Sequence, residues 1–591
     1  MKNFLKLFFA CLLALGVGFF LFFLIIIGGF SGGKPVANVE ANSVLNLTLK
    51  GEVTDRAYNN PFRNLSPMAA LTGSISDEST IGLFDLKEVL SYAKTDDHIK
   101  GIYLKVDEIK CGPATIFDLR EALEDFKKSG KFIYAYSNSS PEINLVLNTA
   151  AGKFYLNPLG ECEFDGFAMQ RQYMKGLYDK LGVDFKVFYV GEYKSATEGF
   201  RRTDMSPEDR IQRSALLEDI NSAFFAVLKN KTKLSADSLK LLQDNLDVMD
   251  ADEVRKYRFA DGLKYEDEVK EEMKTKLGYK KDAELKMINY DKYLSYVKSK
   301  RKSTGENKIA VVYAEGEIND GKEDEGVIGR DAYIKILQEL QNDKNIKGVV
   351  LRVNSPGGSA FASEQIYHEL KKLKAIKPVV VSMGDYAASG GYYISALADK
   401  IVAQPNTITG SIGIFGIVPD IRKALNEKLG ITFDEVKTAQ HANYMNITND
   451  WDELELSKMQ HYVEKGYGVF LNRVATGRKM DTAAVNKIAR GRVWTGQDAK
   501  QIGLVDELGG LELALTRVKE LSKVKEANVV SYPKEKTLIQ SILGGLMGDE
   551  KDSEMKMLKS LTPQMLYYRE LQRIQSMDVL QYKLPYDISL R

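Results

Sequence analysis

Two glycine-flanked stretches and one lysine carry the residue types needed for acyl-transfer chemistry. In VVVSMGDYAASGGYYISALAD (Val379–Asp399) the pattern predicts a strand ending near Ser382 and a helix starting at about Ser389. A hydroxyl at that position meets the positive end of a helix dipole and free backbone N–H groups, which favour developing negative charge. The small neighbours Ala387, Ala388, Gly390 and Gly391 would let a substrate backbone come close, so Gly390 and Gly391 are candidates for a substrate loop. In VNSPGGS (Val353–Ser359), Gly357 and Gly358 can turn backbone N–H groups toward one point, as an oxyanion hole requires. Either stretch alone is an ordinary strand-to-helix turn with packing glycines. Following successive strands of one parallel sheet, both are expected at the same sheet edge, where active sites gather.

A serine hydroxyl needs a base. The four histidines (His98, His368, His441, His461) are scattered and none has a triad context. A lysine can serve if desolvation lowers its pKa from about 10.4. Lys194, in VGEYKSATEGF after the apolar run Phe185–Val190, is the candidate, and an internal repeat separates it from the other lysines. GIYLKV (Gly101–Val106) corresponds to GVVLRV (Gly348–Val353), and the same register carries Lys153 onto Lys400 and Pro158 onto Pro405. In that register Lys110, Cys111, Glu142 and Asn144 stand where the second copy has Gly357, Gly358, Ser389 and Gly391. One residue further out of register, LGVDFKVFYVGEYKSA (Leu181–Ala196) runs beside LGITFDEVKTAQHANY (Leu429–Tyr444), with Ala442 opposite Lys194. One copy kept a serine among glycines and the other a lysine.

GEYKSATE, VNSPGGS, YAASGGYY and TGSIGIFG (Thr409–Gly416), in this order, resemble the long, tandem-domain form of the signal peptide peptidase A family, and the likeness spans essentially the whole chain beyond its N-terminal run. The resemblance implies tandem crotonase-like, Clp-protease-like α/β domains and a Ser–Lys dyad that cleaves remnant signal peptides. Carried across, Ser389 is the nucleophile, Lys194 the general base and Gly357–Gly358 the oxyanion turn. Ser411 orients the lysine, and the first repeat has Phe164 in its place. The dyad positions show no departure from the family pattern. The resemblance further implies a homo-oligomer, a tetramer for the tandem form, and no metal or cofactor.

The elements that must position these residues alternate. Strand-like Val44–Val53 and Ile309–Ile318 open the two copies. Helical patterns at Leu83–Lys94 and Ala332–Asn342, then Ile116–Lys128 and Ala362–Leu373, are interleaved with apolar strands such as Phe132–Tyr136 and Val379–Ser382. This is the signature of βαβ units and a mostly parallel sheet. The division is residues 1–33 as cytoplasmic N-terminus and membrane anchor, 34–295 as the lysine-bearing domain and 296–308 as a polar linker. Residues 309–540 form the serine-bearing domain and 541–591 a C-terminal tail. Leu7–Phe30 is an unbroken apolar and glycine run, long enough at about 1.5 Å per residue to cross a hydrocarbon layer of roughly 30 Å. It lacks a clear A-x-A-like cleavage site, and Lys2 and Lys6 precede it. A retained single-pass anchor in the inner membrane, with the catalytic domains outside the cytoplasm, is therefore expected. Cleavage of this run, or lipidation at Cys11, is the competing reading.

Net charge is +1 with no basic cluster, which argues against a nucleic-acid partner, and Cys11, Cys111 and Cys162 lack zinc spacing. A Cys111–Cys162 disulfide suits an oxidising compartment, and the sequence leaves that pairing open. Two other functions fit parts of the pattern: a crotonase-type acyl-CoA enzyme, whose enolate an oxyanion turn would also serve, and an anchored scaffold without catalysis. The serine, the lysine, the glycine turns and the anchor disfavour both.

Overall fold

The computed structural model describes residues 38–57, 80–301, 305–321, 326–534 and 580–583. The predicted anchor Leu7–Phe30 and most of the tail lie outside them; among the described residues no helix is long and apolar enough to cross a membrane.

Each repeat builds its own mostly parallel sheet. The first runs in the order Thr80–Gly82, Ser43–Thr54, Ile99–Lys110, Phe132–Ser140, Lys153–Cys162, Gly262–Leu263, with Met287–Asn289 also on Ser43–Thr54. The second runs Val493–Thr495, Ile408–Gly410, Val379–Ala388, Ile346–Ser355, Lys308–Glu315, Asn528–Tyr532, with Lys400–Ala403 also on Val379–Ala388. Alternate side chains of a strand face opposite sides, and here both sides are covered. Val349, Leu351 and Val381 pack under the helices Arg330–Asn342 and Ala360–Lys374, while Val311, Val350 and Val380 pack under Leu511–Ser522. Each such side chain contributes about 1.5–3 kcal/mol of burial, which is why these strands read as continuous β-branched runs.

A third, smaller sheet joins the two halves. Its order is Val327–Gly329, Glu317–Asn319, Gly357–Ser359, Leu580–Lys583, Phe415–Asp420, Asp184–Tyr189. The last strand belongs to the first repeat and pairs antiparallel with Phe415–Asp420 of the second, from Phe415 opposite Tyr189 to Asp420 opposite Asp184. Lys194 follows that strand, so this pairing delivers it to the other domain.

The polar linker is shorter than the sequence suggests. The helix Tyr290–Lys300 runs through its first part, because Tyr293 and Val297, four apart on one face, are buried against the first domain. The Tyr293 hydroxyl also donates to Asp96 at 2.8 Å. Cys111 and Cys162 are free thiols, so the disulfide is absent here.

Buried polar contacts tie the repeats together. The Arg352 guanidinium, fully enclosed, donates to Asp55 Oδ1 at 2.8 and 3.0 Å and to Ser382 Oγ and the Met383 carbonyl at 2.9 and 2.8 Å. Asp385, on the strand that ends at the serine, accepts from Thr115 N (2.8 Å), Thr115 Oγ (2.7 Å) and Gly112 N (3.2 Å) at the start of the first-domain helix Pro113–Lys127. Burial pushes the Asp385 carboxyl above the usual carboxylate range. Removing one partner of a buried pair leaves the other charge uncompensated, which costs about 3–5 kcal/mol. Asp55→Ala is therefore expected to destabilise the chain by about that amount in urea unfolding; a loss below about 1 kcal/mol would show that water reaches Arg352.

Candidate active site

Ser389 sits between the strand Val379–Ala388 and the short helix Gly390–Ser395. Its backbone is held at φ 56°, ψ −113°, outside the regions an L-residue prefers. Such strain costs of order 1–3 kcal/mol and persists only where the surroundings over-determine it. Here Ser389 N donates to the Gly410 carbonyl (2.8 Å), and Tyr393 N donates to the Ser389 carbonyl (2.8 Å). Although it occupies the N-cap position, its side chain makes no cap hydrogen bond. The hydroxyl is left for another partner.

That partner is Lys194. Its Nζ lies within hydrogen-bond distance of Ser389 Oγ (2.9 Å), Ser411 Oγ (3.0 Å) and the Ser411 carbonyl (3.1 Å). The lysine is entirely buried, and no acidic side chain is among these partners. Burial alone holds its pKa well below the usual lysine value. A neutral amine against a serine hydroxyl can accept that hydroxyl's proton. Ser411 is itself held at φ 47°, with its N–H on the Arg492 carbonyl at 2.7 Å, so both of its oxygens face the amine.

The lysine's backbone has its own supports. The next residue, Ser195, donates from Oγ to Asp209 Oδ1 at 2.6 Å. Asp209 also accepts from Arg213 Nε (2.9 Å), Gln212 Nε2 (2.9 Å) and Arg171 (3.3 Å). Burial would raise the Asp209 carboxyl, but the Arg213 charge, the Ser195 and Gln212 hydrogen bonds and Arg171 together hold it below the usual range. Gly491 presses on the lysine from the second domain. A Cβ there would lie 2.5–2.7 Å from Lys194 N, Cα and Cβ, and its φ of 82° suits glycine. A Cβ on Gly413 would lie 3.2 Å from Lys194 Cδ. Gly491 does not stand out in the sequence, because the need for it comes from the opposing domain.

Gly357 and Gly358 lie in the short strand Gly357–Ser359 rather than an open turn, at φ 100° and 153°. A Cβ on Gly358 would stand 2.1 Å from the Ile318 carbonyl oxygen. Gly391 has a packing reason: a Cβ there would lie 2.7 Å from the Ser355 carbonyl oxygen, so it lets the helix sit on the donor strand. Both Gly390 and Gly391 are buried, since the tight helix start takes them inside. The sequence also gives no place to Leu580–Lys583. This segment pairs antiparallel with Gly357–Ser359 on one side and with Phe415–Gly416 on the other.

In the first repeat the corresponding place is sealed. Glu142 Oε2 accepts from Gly166 N (2.6 Å) and Asp165 N (3.1 Å), and Oε1 accepts from Gln243 (2.6 Å). Burial pushes its carboxyl up to about 7 against those hydrogen bonds. Phe164, opposite Ser411, packs on Phe224 and Phe259. Elsewhere, His441 Nδ1 approaches Glu455 (3.2 Å) and Asp452 (3.6 Å). Asp452 and Glu455 form the capping box of the helix Glu453–Arg478, which accounts for the cluster without a metal ion.

The layered α/β repeat, with a serine at a helix start and a buried lysine amine against its hydroxyl, is of the Clp-protease-like class, and the Clp protease profile matches residues 309–427. The profile of peptidase family S49 matches twice, over residues 125–280 and 371–525. The chain is 34% identical to Protease 4 of Salmonella typhi over 95% of this chain and 90% of that protein. It is 35% identical to Protease 4 of Haemophilus influenzae (87% and 85%) and 30% identical to the chloroplastic serine protease SPPA of Arabidopsis thaliana (87% and 74%). The chain belongs to peptidase family S49, as a signal peptide peptidase A-type serine protease with a tandem duplicated domain.

Gly491→Ala tests how closely the lysine is placed. A shift of about 1 Å at a reacting group can cost about 100-fold, so peptidase turnover should fall by about that factor while the circular dichroism spectrum is retained. Turnover within twofold of the parent would show that the lysine backbone yields to the added methyl.

Proposed function

We propose that this chain is a membrane-anchored serine endopeptidase that degrades cleaved signal peptides through an acyl-enzyme, with Ser389 as nucleophile and Lys194 as general base. The observation that carries the reading is the 2.9 Å hydrogen bond between a wholly buried lysine amine and a serine hydroxyl. Lys194 takes the hydroxyl proton as Ser389 Oγ attacks the scissile carbonyl, then returns it to the departing amine. Backbone N–H groups of Gly357–Gly358 receive the oxyanion. A water that gives its proton to the same lysine releases the acyl group. Ser411 is a positioning residue, fixing the rotamer of the amine.

A peptide would enter as an extended strand where Leu580–Lys583 now lies, satisfied on both sides by main-chain hydrogen bonds, with side-chain pockets reading alternate residues. That two-sided slot favours a peptide over an acyl-CoA. The apolar run Leu7–Phe30 supports anchoring in the inner membrane, with both domains on the extracytoplasmic side, and a hydrophobic peptide released in the bilayer would be nearby. Assembly as a homo-oligomer, a tetramer, belongs to the same reading.

Ser389→Ala and Lys194→Ala should each reduce hydrolysis of a fluorogenic apolar peptide to background, and a fluorophosphonate probe should label the parent but not Ser389→Ala. Lys194→Arg should fail as well, because guanidinium stays charged. Near-normal turnover by any of the three would remove the dyad.

The pH dependence has a definite sign. The lysine pKa is depressed, so turnover should hold above that value and fall as acidification protonates the amine. Folding with the amine neutral releases a proton that the unfolded chain binds up to about pH 10, so stability should rise with pH through the neutral range. Lys194→Met should flatten that rise and melt no earlier than the parent at pH 7, while being inactive. An unchanged slope would mean that the buried amine keeps its proton.

A strand on the same chain competes intramolecularly with an incoming peptide. Deleting residues 580–591 should accordingly lower KM severalfold with kcat unchanged. An unchanged KM would show that the strand leaves the slot open in solution.

A further inference from the structure

The strand Leu580–Lys583 lies between Gly357–Ser359 and Phe415–Asp420 as an extended peptide would, and its side chains show what that slot holds. Its register fixes each position. Gln581 stands opposite Ser359 on one wall and Phe415 on the other, and Lys583 stands opposite Gly357. Residues two apart on a strand point to the same side, and Gln581 and Lys583 are both turned inward, 4% and 9% exposed. Taking a lysine that far out of water is costly unless its ammonium finds a partner. The Lys583 Nζ donates to Glu317 Oε2 at 3.0 Å.

Glu317 belongs to the wall of the slot and not to its occupant. It opens the short strand Glu317–Asn319, whose Ile318 pairs in parallel with Gly358. Its carboxylate therefore stands one strand behind the glycine pair. Among the described residues no other lysine or arginine comes within ion-pair distance of it, so the cation has to arrive with the occupant. The Glu317 side chain is 33% exposed, which lets water solvate it when the slot is vacant. A neutral side chain opposite Gly357 would cover the carboxylate without pairing it, and an acidic one would set like charges together. A charge-assisted hydrogen bond is about twice as strong as a neutral one. The long apolar stem of lysine or arginine reaches the carboxylate while staying in the slot.

We propose that Glu317 is a specificity-determining residue, which makes the slot prefer an extended peptide carrying lysine or arginine opposite Gly357. The inference rests on the reading of this slot as the substrate site and goes further by naming the side chain that the site selects. The basic residues that precede the apolar core of a signal peptide are of this kind. Glu317 aligns such a peptide by its charged end. A wholly apolar peptide enters on main-chain hydrogen bonds without this contact and binds more weakly. Leu580–Lys583 meets the same requirement, which is why it fits the slot of its own chain.

The synthetic peptide VLQYKLPY, the sequence of residues 579–586, fixes the register, and versions with norleucine or glutamate in place of the lysine change only the side chain in question. Binding of each dye-labelled peptide to the full-length Ser389→Ala protein in detergent would be followed by fluorescence anisotropy. The strand of the chain itself competes equally with all three, so the ratio of affinities carries the result. The lysine peptide should bind at least about fivefold tighter than the norleucine peptide, with the glutamate peptide weakest. Adding Glu317→Gln should bring the lysine and norleucine peptides within about twofold of each other, and adding Glu317→Lys should make the glutamate peptide the tightest. Equal binding of the lysine and norleucine peptides by Ser389→Ala, a lysine preference that survives Glu317→Gln, or binding of none of the three overturns the proposal. No readout here uses turnover, so a failure of the peptidase reading shows separately, in the probe-labelling and hydrolysis tests.

Discussion

Everything at the centre of this molecule depends on keeping one lysine amine out of water without giving it a counter-charge. A carboxylate beside Lys194 would lower the cost of burial but would hold the proton on the amine. Two serine oxygen atoms and one carbonyl stabilise the amine without fixing its charge. Such an environment cannot be made by the segment that bears the lysine, which is a turn with an irregular backbone. It is made by closing a second domain over it, and Gly491 and Gly413 are small so that this closure can be tight.

The duplication explains how such a closure arose on one chain. Two copies of a fold in which a strand reaches over to a neighbour can be joined so that one reach is satisfied internally. Once that happens, the first copy needs no serine and the second no lysine. Glu142 and Phe164 show what fills the space afterwards: a carboxyl tied to backbone N–H groups and an aromatic cluster. The Arg352–Asp55 pair and the Asp385 contacts with Thr115 then hold the two sheets at a fixed spacing. Asp385 lies four residues before Ser389, on the strand that leads into it, so the first domain grips the serine's strand as well as supplying Lys194.

The candidate site was legible in the sequence because its residues sit in locally distinctive settings. Ser389 and the glycine pair follow β-branched strands, and the repeat singled out Lys194. The strand and helix order was equally readable, from Leu83 through Lys374, since period and composition agree there. What escaped was whatever depends on contacts distant in sequence. The helix Tyr290–Lys300 hides in polar surroundings because only Tyr293 and Val297 are fully buried in the core. Gly491 lies almost 300 positions from the lysine it accommodates. The strand Leu580–Lys583 has no periodic signature, and only its two neighbours make it a strand.

Those neighbours bear on solubility as well as on turnover. A slot that accepts an extended chain on both sides consists of two facing sheet edges, and open edges recruit any exposed strand, including those of misfolded or identical proteins. With Leu580–Lys583 in place, both edges are hydrogen-bonded and neither can template aggregation. The resting molecule therefore carries these two edges already covered, and they are open to strand addition only for the interval in which the slot stands vacant.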